Sequence, residues 1–365
     1  MNDSTAGDLE RHGAGSGHND NFIPLENLDI SNIHTFDDLL RAMEKTSFGG
    51  RKVGEAADLL YTMATDPDCF VVGTFSGAMT VAKQGLLIAD MIDRGMINAV
   101  VSTGALMTHG LVDAGGMLHF KFDFDRMNDS ALFKRGYDRV YDTLELEKNL
   151  DDLEELVTHV FDGINPQTVC SSRLIAERIG TYLAEHVQGR GIVLSAVKKG
   201  VPIYIPAFTD SELGLDFALY NRRQRLLKKP ELSFDPLLDL EHYTQTIAQQ
   251  KRIGIFTIGG GVPRNWAQQV ACYLDLINFR IFERYDVDER MDVKRFHYGI
   301  RICPEPVHWG GLSGCTYSEG VSWGKFVPPE EGGKFVEVLA DATTVWPLIL
   351  KGVTERLDKN MKHET

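Results

Sequence analysis

The sequence predicts an α/β fold: a Rossmann-like, mainly parallel sheet with helices on both faces. Two observations carry this. Short, continuously apolar runs rich in β-branched and aromatic residues recur along the chain: CFVVGTF (69–75), INAVVSTGAL (97–106), PIYIPAFTD (202–210), RIGIFTIGGG (252–261) and EVLAD (337–341). Between them lie segments with apolar residues at helical spacing: about Met79 to Arg94, RLIAERIGTYLAEHV (173–187), LDLEHYTQTIAQQ and NWAQQVACYLDL. Strands without polar alternation are buried on both faces, and alternation with helices supplies the cover.

The remaining segments are read in the same way. Leu39, Leu40, Met43, Leu59, Leu60 and Met63 suggest two amphipathic helices parted by SFGGRK. Residues 1–20, polar and glycine-rich, are expected to be a disordered tail, leaving 21–365 as a single domain. A turn-rich stretch is expected after residue 106. DTLELEKNLDDLEEL (142–156) reads as a solvated helix face and NRRQRLLKK (221–229) as a surface loop.

Composition narrows the function classes. At 365 residues with 43% hydrophobic and 25% charged side chains, the chain affords a sizeable core. A net charge of −14 disfavours nucleic acid and anionic membrane as partners and favours cationic ligands. The five cysteines show no metal-ligand spacing, so neither a disulfide frame nor a metal is expected. No apolar run approaches the ~20 residues of a spanning helix, and the N-terminus lacks signal-peptide character. The expected location is cytoplasmic.

Ligands of open parallel sheets bind beyond the carboxyl ends of the strands. There this sequence places GTFSGAMT, STGALMTH, FTDSELGLD and IGGGVPRN. Each could set backbone N–H groups against phosphates, or could be only a tight turn; together they suggest a nucleotide cleft. Asp210 and Asp341, each at a strand exit, could bind ribose hydroxyls or ammonium groups, or cap a helix. The stretch EGVSWGKF (319–326) sets a lysine near a tryptophan and a glutamate. If extended, it points Glu319, Val321, Trp323 and Lys325 to one face. Lys325 is then either a desolvated amine poised to form a Schiff base, or an edge lysine snorkelling past Trp323.

GIFTIGGGVPRN, SGCTYSEGVSWGKF and EVLADATTVWPLIL, preceded by PAFTDSELGLD, VVSTGALMTHGLVDA, VVGTFSGAM and FGGRKVGEA, resemble the deoxyhypusine synthase family over roughly residues 36–357. The resemblance implies a homotetramer with active sites at subunit interfaces and NAD-dependent transfer of an aminobutyl group from spermidine through an imine on a lysine. By motif position, Lys325 is that lysine, and Trp323 and Glu319 belong to the amine pocket. Ser76, Thr80, Thr103, Gly104, Asp210, Gly259, Ala340 and Asp341 would then line the NAD site.

The sequence also departs from the family pattern. Asn265 stands where the family has a histidine, and an asparagine is no general base; His109 and His308 are the candidate substitutes. Leu312 replaces a carboxylate, the aspartate of SELGLD is displaced by one residue to Asp216, and His109 replaces a glutamate expected at NAD. Fewer carboxylates for a polycation imply a changed donor–acceptor pair. Three functions follow: an aminobutyl transferase whose acceptor is a small polyamine, giving a homospermidine-type product; a deoxyhypusine synthase acting on a lysine of the hypusine-forming translation factor; or a catalytically silent NAD-binding paralogue.

Overall fold

The computed structural model describes residues 20–125 and 128–361; the expected N-terminal tail, apart from Asp20, lies outside them. The strands run β1 (Cys69–Phe75), β2 (Ala99–Ser102), β3 (Phe120–Lys121), β4 (Tyr137–Val140), β5 (Thr143–Leu146), β6 (Val169–Cys170), β7 (Ile203–Tyr204), β8 (Ser233–Phe234), β9 (Arg252–Ile258), β10 (Phe296–Ile302) and β11 (Lys334–Val338). Six of them form one sheet in the order β11-β10-β9-β1-β2-β7. Every pairing in it is parallel. The chain enters at β1, builds outward through β2 and β7, then returns to β9 on the other side of β1. The strand order therefore reverses between β1 and β9, the place where doubly wound sheets open a crevice.

Thirteen helices accompany the described strands. They are α1 (Phe36–Glu44), α2 (Phe48–Thr65), α3 (Gly85–Asp93), α4 (Gly104–Ala114), α5 (Asp129–Phe133), α6 (Glu147–Asp162), α7 (Ser172–His186), α8 (Ile192–Lys199), α9 (Glu212–Leu226), α10 (Leu237–Ala248), α11 (Gly261–Ile277), α12 (Tyr317–Ser322) and α13 (Ala342–Met361). Strand residues alternate between two cores, as the period of a pleated strand requires. Val71, Phe75, Val100, Phe256 and Ile258 pack with Leu60, Ile88, Leu111 and Trp346. Val72, Ala99, Val101, Ile253 and Ile255 pack with Tyr243, Val270, Leu274 and Tyr317 on the opposite face. The sheet is covered on both sides, as expected.

Several local expectations shift. The separator in SFGGRK shrinks, because α2 already begins at Phe48. The helix expected from Met79 begins only at Gly85, and PIYIPAFTD is a strand only at Ile203–Tyr204 before a 3-10 turn at Phe208–Asp210. The expected turns after residue 106 are instead the body of α4. The basic run expected as a loop mostly continues α9, whose C-terminal dipole favours Arg223 and Arg225 in its last turn. In 142–156 the first part is β5, with Leu144 and Glu145 buried, and the rest opens α6, with Leu153 on its buried face. FHYGIRI, which the apolar-run reading passed over, is β10.

The terminal helices close the domain through a buried ion pair. The Arg356 guanidinium, only 3% exposed, donates to Asp37 Oδ1 at 2.7 Å and to Asp58 Oδ1 at 2.9 Å, fastening α13 to α1 and α2. Asp37→Ala leaves the buried guanidinium with only the half-exposed Asp58, so it should lower the unfolding free energy by about 2 kcal/mol. A denaturant titration with unchanged slope checks this, and a loss under about 0.5 kcal/mol would show the pair to be effectively solvent-screened.

Candidate active site

The carboxyl edge of the sheet gathers most of the residues expected at a dinucleotide. Ser76, just past β1, sits across the reversal point from the glycine triplet after β9. Its hydroxyl donates to Ile258 O at 3.1 Å and accepts from Gly260 N at 3.0 Å. Gly259 has φ of +77°, and a Cβ there would come within 2.4 Å of Ser76 Oγ, so glycine is required on both counts. Past β2, Thr103 caps α4 by accepting from Leu106 N at 3.3 Å. A Cβ on Gly104 would collide with Ser211 Oγ at 2.0 Å, so α4 approaches the β7 turn closely. Asp210 is exposed at that turn, lining a cavity of about 380 Å³ with Thr108, His109, Thr209 and Leu215. Past β11, Ala340 is half-buried. Asp341 caps the first turn of α13, accepting from Thr343 N at 2.7 Å, so the capping alternative is realised there.

Thr80 is the exception. It is fully buried and donates to Leu106 O at 2.9 Å, bracing the loop before α3 against α4. It presents no surface to the crevice, and the expectation that it lines a cofactor site is corrected accordingly.

Lys325 is reached by a route the sequence reading missed. The stretch 319–325 is not extended: α12 spans Tyr317–Ser322, capped by Thr316 Oγ1, which accepts from Glu319 N at 3.2 Å. The helix ends in a Schellman turn. Gly324, at φ +68°, donates to Val321 O at 2.9 Å, and Lys325 N donates back to Gly320 O at 3.0 Å. Phe296 N donates to Lys325 O at 3.0 Å, and a bridge joins Phe296 to Phe326. Tyr317, 1% exposed, anchors the helix from below, its hydroxyl 2.9 Å from Thr257 Oγ1 and 3.0 Å from Ile300 O.

Held this way, the Lys325 amine is half-buried over the start of α11 and donates to Asn265 Oδ1 at 3.2 Å. Burial pushes its pKa below the ordinary 10.5; the Arg264 guanidinium acts in the same sense, and the thiols of Cys272 and Cys315 oppose it. Asn265 accepts the hydrogen bond without a charge, so it adds no Coulomb preference for the ammonium form.

The other residues expected at an amine are distributed unevenly. Trp323 caps α12 at its C-terminus and is 67% exposed, and Glu319 is exposed on the first turn. Because the segment is helical, the predicted shared face of Glu319, Val321, Trp323 and Lys325 does not exist. Asp216 is 4% exposed, and burial, reinforced by Glu212 and Glu154, pushes its carboxyl up to about 7. Successive helix residues turn by about 100°, so the one-residue displacement puts Leu215 on the cavity and Asp216 in the interior. His308 is exposed beside Trp309, and His109 faces Glu145, 2.6 Å away, instead of Lys325.

Two buried arginines escaped the sequence reading. Arg264 donates to the carbonyls of Leu312 (2.8 Å) and Cys315 (2.9 Å). Arg301 donates to Ser313 O at 3.1 Å and also contacts Cys315 O. Together they clamp the loop that leads into α12. The available signal was an arginine inside the apolar run of FHYGIRI, a local conflict that marks a special site.

These features define an α/β protein built on a six-stranded parallel sheet, with glycine-rich turns at its reversal point and a half-buried lysine over the start of α11. A deoxyhypusine synthase family model matches residues 38–353. A "Probable deoxyhypusine synthase 2" of Methanosarcina acetivorans is 33% identical over 91% of this chain and 90% of that protein. A "Deoxyhypusine synthase-like protein" of Chlorobaculum parvum is 30% identical over 89% and 88%. A crystal structure assigned to a deoxyhypusine synthase of Entamoeba histolytica superposes with a TM-score of 0.57 over 91% of this chain and 97% of that one, at 14% identity, a likeness of fold. The chain belongs to the deoxyhypusine synthase family. No helix among the described residues is long and apolar enough to cross a membrane.

Gly324→Ala forces a side chain into the left-handed region, so it should cost about 1–2 kcal/mol, read from denaturant midpoints. Gly324→Asn, which tolerates that conformation, should lose less. Equal losses for the two would show that the turn does not set the position of Lys325.

Proposed function

We propose that this chain is an NAD-dependent aminobutyl transferase that takes the group from a spermidine-type donor, holds it as an imine on Lys325, and passes it to a small polyamine to give a homospermidine-type product. The observation that carries the reading is the Lys325 amine, half-buried, depressed in pKa and bound to a neutral acceptor. An amine that loses its proton easily is the nucleophile an imine requires.

The crevice suits the cofactor. Gly104 and Gly259 let the turns after β2 and β9 pack closely on Ser211 and Ser76, and Asp210 offers an exposed carboxylate for ribose hydroxyls. On this reading Ser76, Thr103, Gly104, Asp210, Gly259, Ala340 and Asp341 hold NAD, and Thr80 only supports them. Bound there, the dinucleotide would supply reversible oxidation of the donor's carbon–nitrogen bond. Lys325 would attack the oxidised carbon as a free amine with loss of the donor's diaminopropane part, Asn265 would orient it, and Trp323 offers a ring face for a cationic substrate. Trp323, Val307, Trp309 and Leu312 are all more than half exposed, which suits a site completed by a second copy of the chain in a homo-oligomer, a tetramer on the family pattern. Leu215 and Leu312, where carboxylates would hold a longer polycation, favour a small amine as acceptor.

The names of the curated relatives favour a second reading, a deoxyhypusine synthase whose acceptor is a lysine of the hypusine-forming translation factor. Purified protein with NAD, spermidine and putrescine should yield homospermidine and 1,3-diaminopropane. Labelled spermidine entering the translation factor instead would replace the first reading by the second. Borohydride should trap a spermidine-derived adduct that Lys325→Ala abolishes; absence of both adduct and product would leave a silent paralogue.

The trapping rate gives the pH dependence. Only the neutral amine attacks, so the rate should rise with pH and level off at an apparent pKa below 10.5, the ordinary lysine value. A profile still climbing through 10.5 would contradict a desolvated nucleophile.

A further inference from the structure

Away from Lys325, three side chains from separate elements converge beside the cavity of Asp210. His109 lies on α4, His119 directly before β3, and Glu145 on β5. The side chains of His119 and Glu145 are only 2% and 3% exposed, and that of His109 is 23% exposed. One atom from each can be chosen so that all three lie within 4.8 Å of one another. His109 Nδ1 is 2.6 Å and His119 Nε2 is 3.5 Å from Glu145 Oε2.

The polar atoms of this cluster are only partly satisfied. Beyond these ion-pair contacts to Glu145 Oε2, His109 Nδ1, His119 Nε2 and Glu145 Oε1 are buried without a hydrogen-bond partner. Buried polar atoms left unpaired are costly, and three in one cluster call for a shared occupant. The outer nitrogen of His119 is provided for: Nδ1 lies 3.2 Å from Asp113 Oδ1, and Lys83, 3.2 Å from the same nitrogen, pairs with that carboxylate. With an ion bound, a proton held on Nδ1 against Asp113 would free the Nε2 lone pair, the arrangement in which an outer carboxylate fixes a ligating imidazole.

We infer that His109, His119 and Glu145 form a binding site for a divalent first-row transition ion of the zinc class, with Asp113 as a positioning residue for His119. Two imidazoles and one carboxylate suit such an ion rather than calcium or magnesium. Ligand atoms around a tetrahedral ion with bonds of ~2.1 Å stand about 3.4 Å apart, so the observed 2.6 and 3.5 Å need only small side-chain rotations. The ion would clip the small β3-β5-β4 sheet to α4. Because His109 also lines the cavity with Asp210, it would be reachable from there. Cysteine spacing gave no hint of it, since none of the three ligands is a cysteine and the fold brings them together.

The test is metal binding by the intact protein, stripped with a chelator and reloaded. Zn²⁺ should bind at one equivalent per chain and raise the melting temperature, and Co²⁺ should give visible absorption bands of a nitrogen–oxygen site. Glu145→Gln, which keeps shape and removes the charge, should weaken Zn²⁺ at least 100-fold and abolish the bands, and His119→Ala should do the same. Asp113→Asn should weaken binding about 10- to 100-fold while keeping the Co²⁺ spectrum. If His119→Ala fails to fold, Glu145→Gln with its own melting curve decides alone. Substoichiometric Zn²⁺ in the unaltered protein, or binding unchanged in Glu145→Gln, overturns the site and leaves a histidine–carboxylate ion cluster.

Discussion

A lysine side chain carries roughly 2 kcal/mol of rotamer entropy, and its ammonium resists leaving water. A half-buried lysine amine therefore needs a backbone that limits where it can go. Here that backbone is fixed on both sides of Lys325. The Schellman turn at Gly324 returns the chain toward Gly320, and the pairing with Phe296 holds the next peptide against β10. Underneath, Tyr317 and Phe326 pack with ring centroids 4.7 Å apart, and Gly320 leaves the space that Phe326 fills. The position of the amine is thus a property of the sheet edge, transmitted through one short helix.

The same logic holds across the crevice. Ser76 joins the ends of β1 and β9 where the strand order reverses, and Gly259 lets that seam close tightly on its hydroxyl. Arg264, in the first turns of α11, holds the loop before α12 by its carbonyl oxygens while its charge opposes protonation of Lys325. One buried cation therefore positions the lysine-bearing segment and disfavours the charged form of its amine. Its neighbour Asn265 supplies a neutral acceptor, which favours the ammonium less than a carboxylate there would.

How much was legible in the sequence depended on the kind of pattern. β1 and β9 announced themselves as continuous apolar runs, and the polar residues at their ends fell on the crevice because parallel strands deliver their exits to one edge. The strand β10 was hidden by His297 and Arg301 within it, and Arg301 is there to clamp a loop remote in sequence. The alternate spacing of Glu319, Val321, Trp323 and Lys325 puts them on one face only if the segment is extended, and it is not. The decisive local signals were Thr316 followed by Glu319 three residues later, and the glycine after Trp323, a start and a stop for a helix. Asp216 and Thr80 show a further limit: motif position says which residues are near a site, whereas one helical step or one inward rotamer decides whether they face it. The cluster of His109, His119 and Glu145 has no sequence signature at all, being made by the packing of α4 against a small sheet.

The central claim is that Lys325 is a depressed amine in the free protein. The most direct measurement is the pH dependence of its reaction with acetic anhydride, followed residue by residue by mass spectrometry, with Lys251 as internal reference. Lys251 is exposed, and its hydrogen bond to Asp68 pushes its pKa up. The account predicts a midpoint for Lys325 below 10.5 and below that of Lys251. A Lys325 midpoint equal to or above that of Lys251 would contradict it.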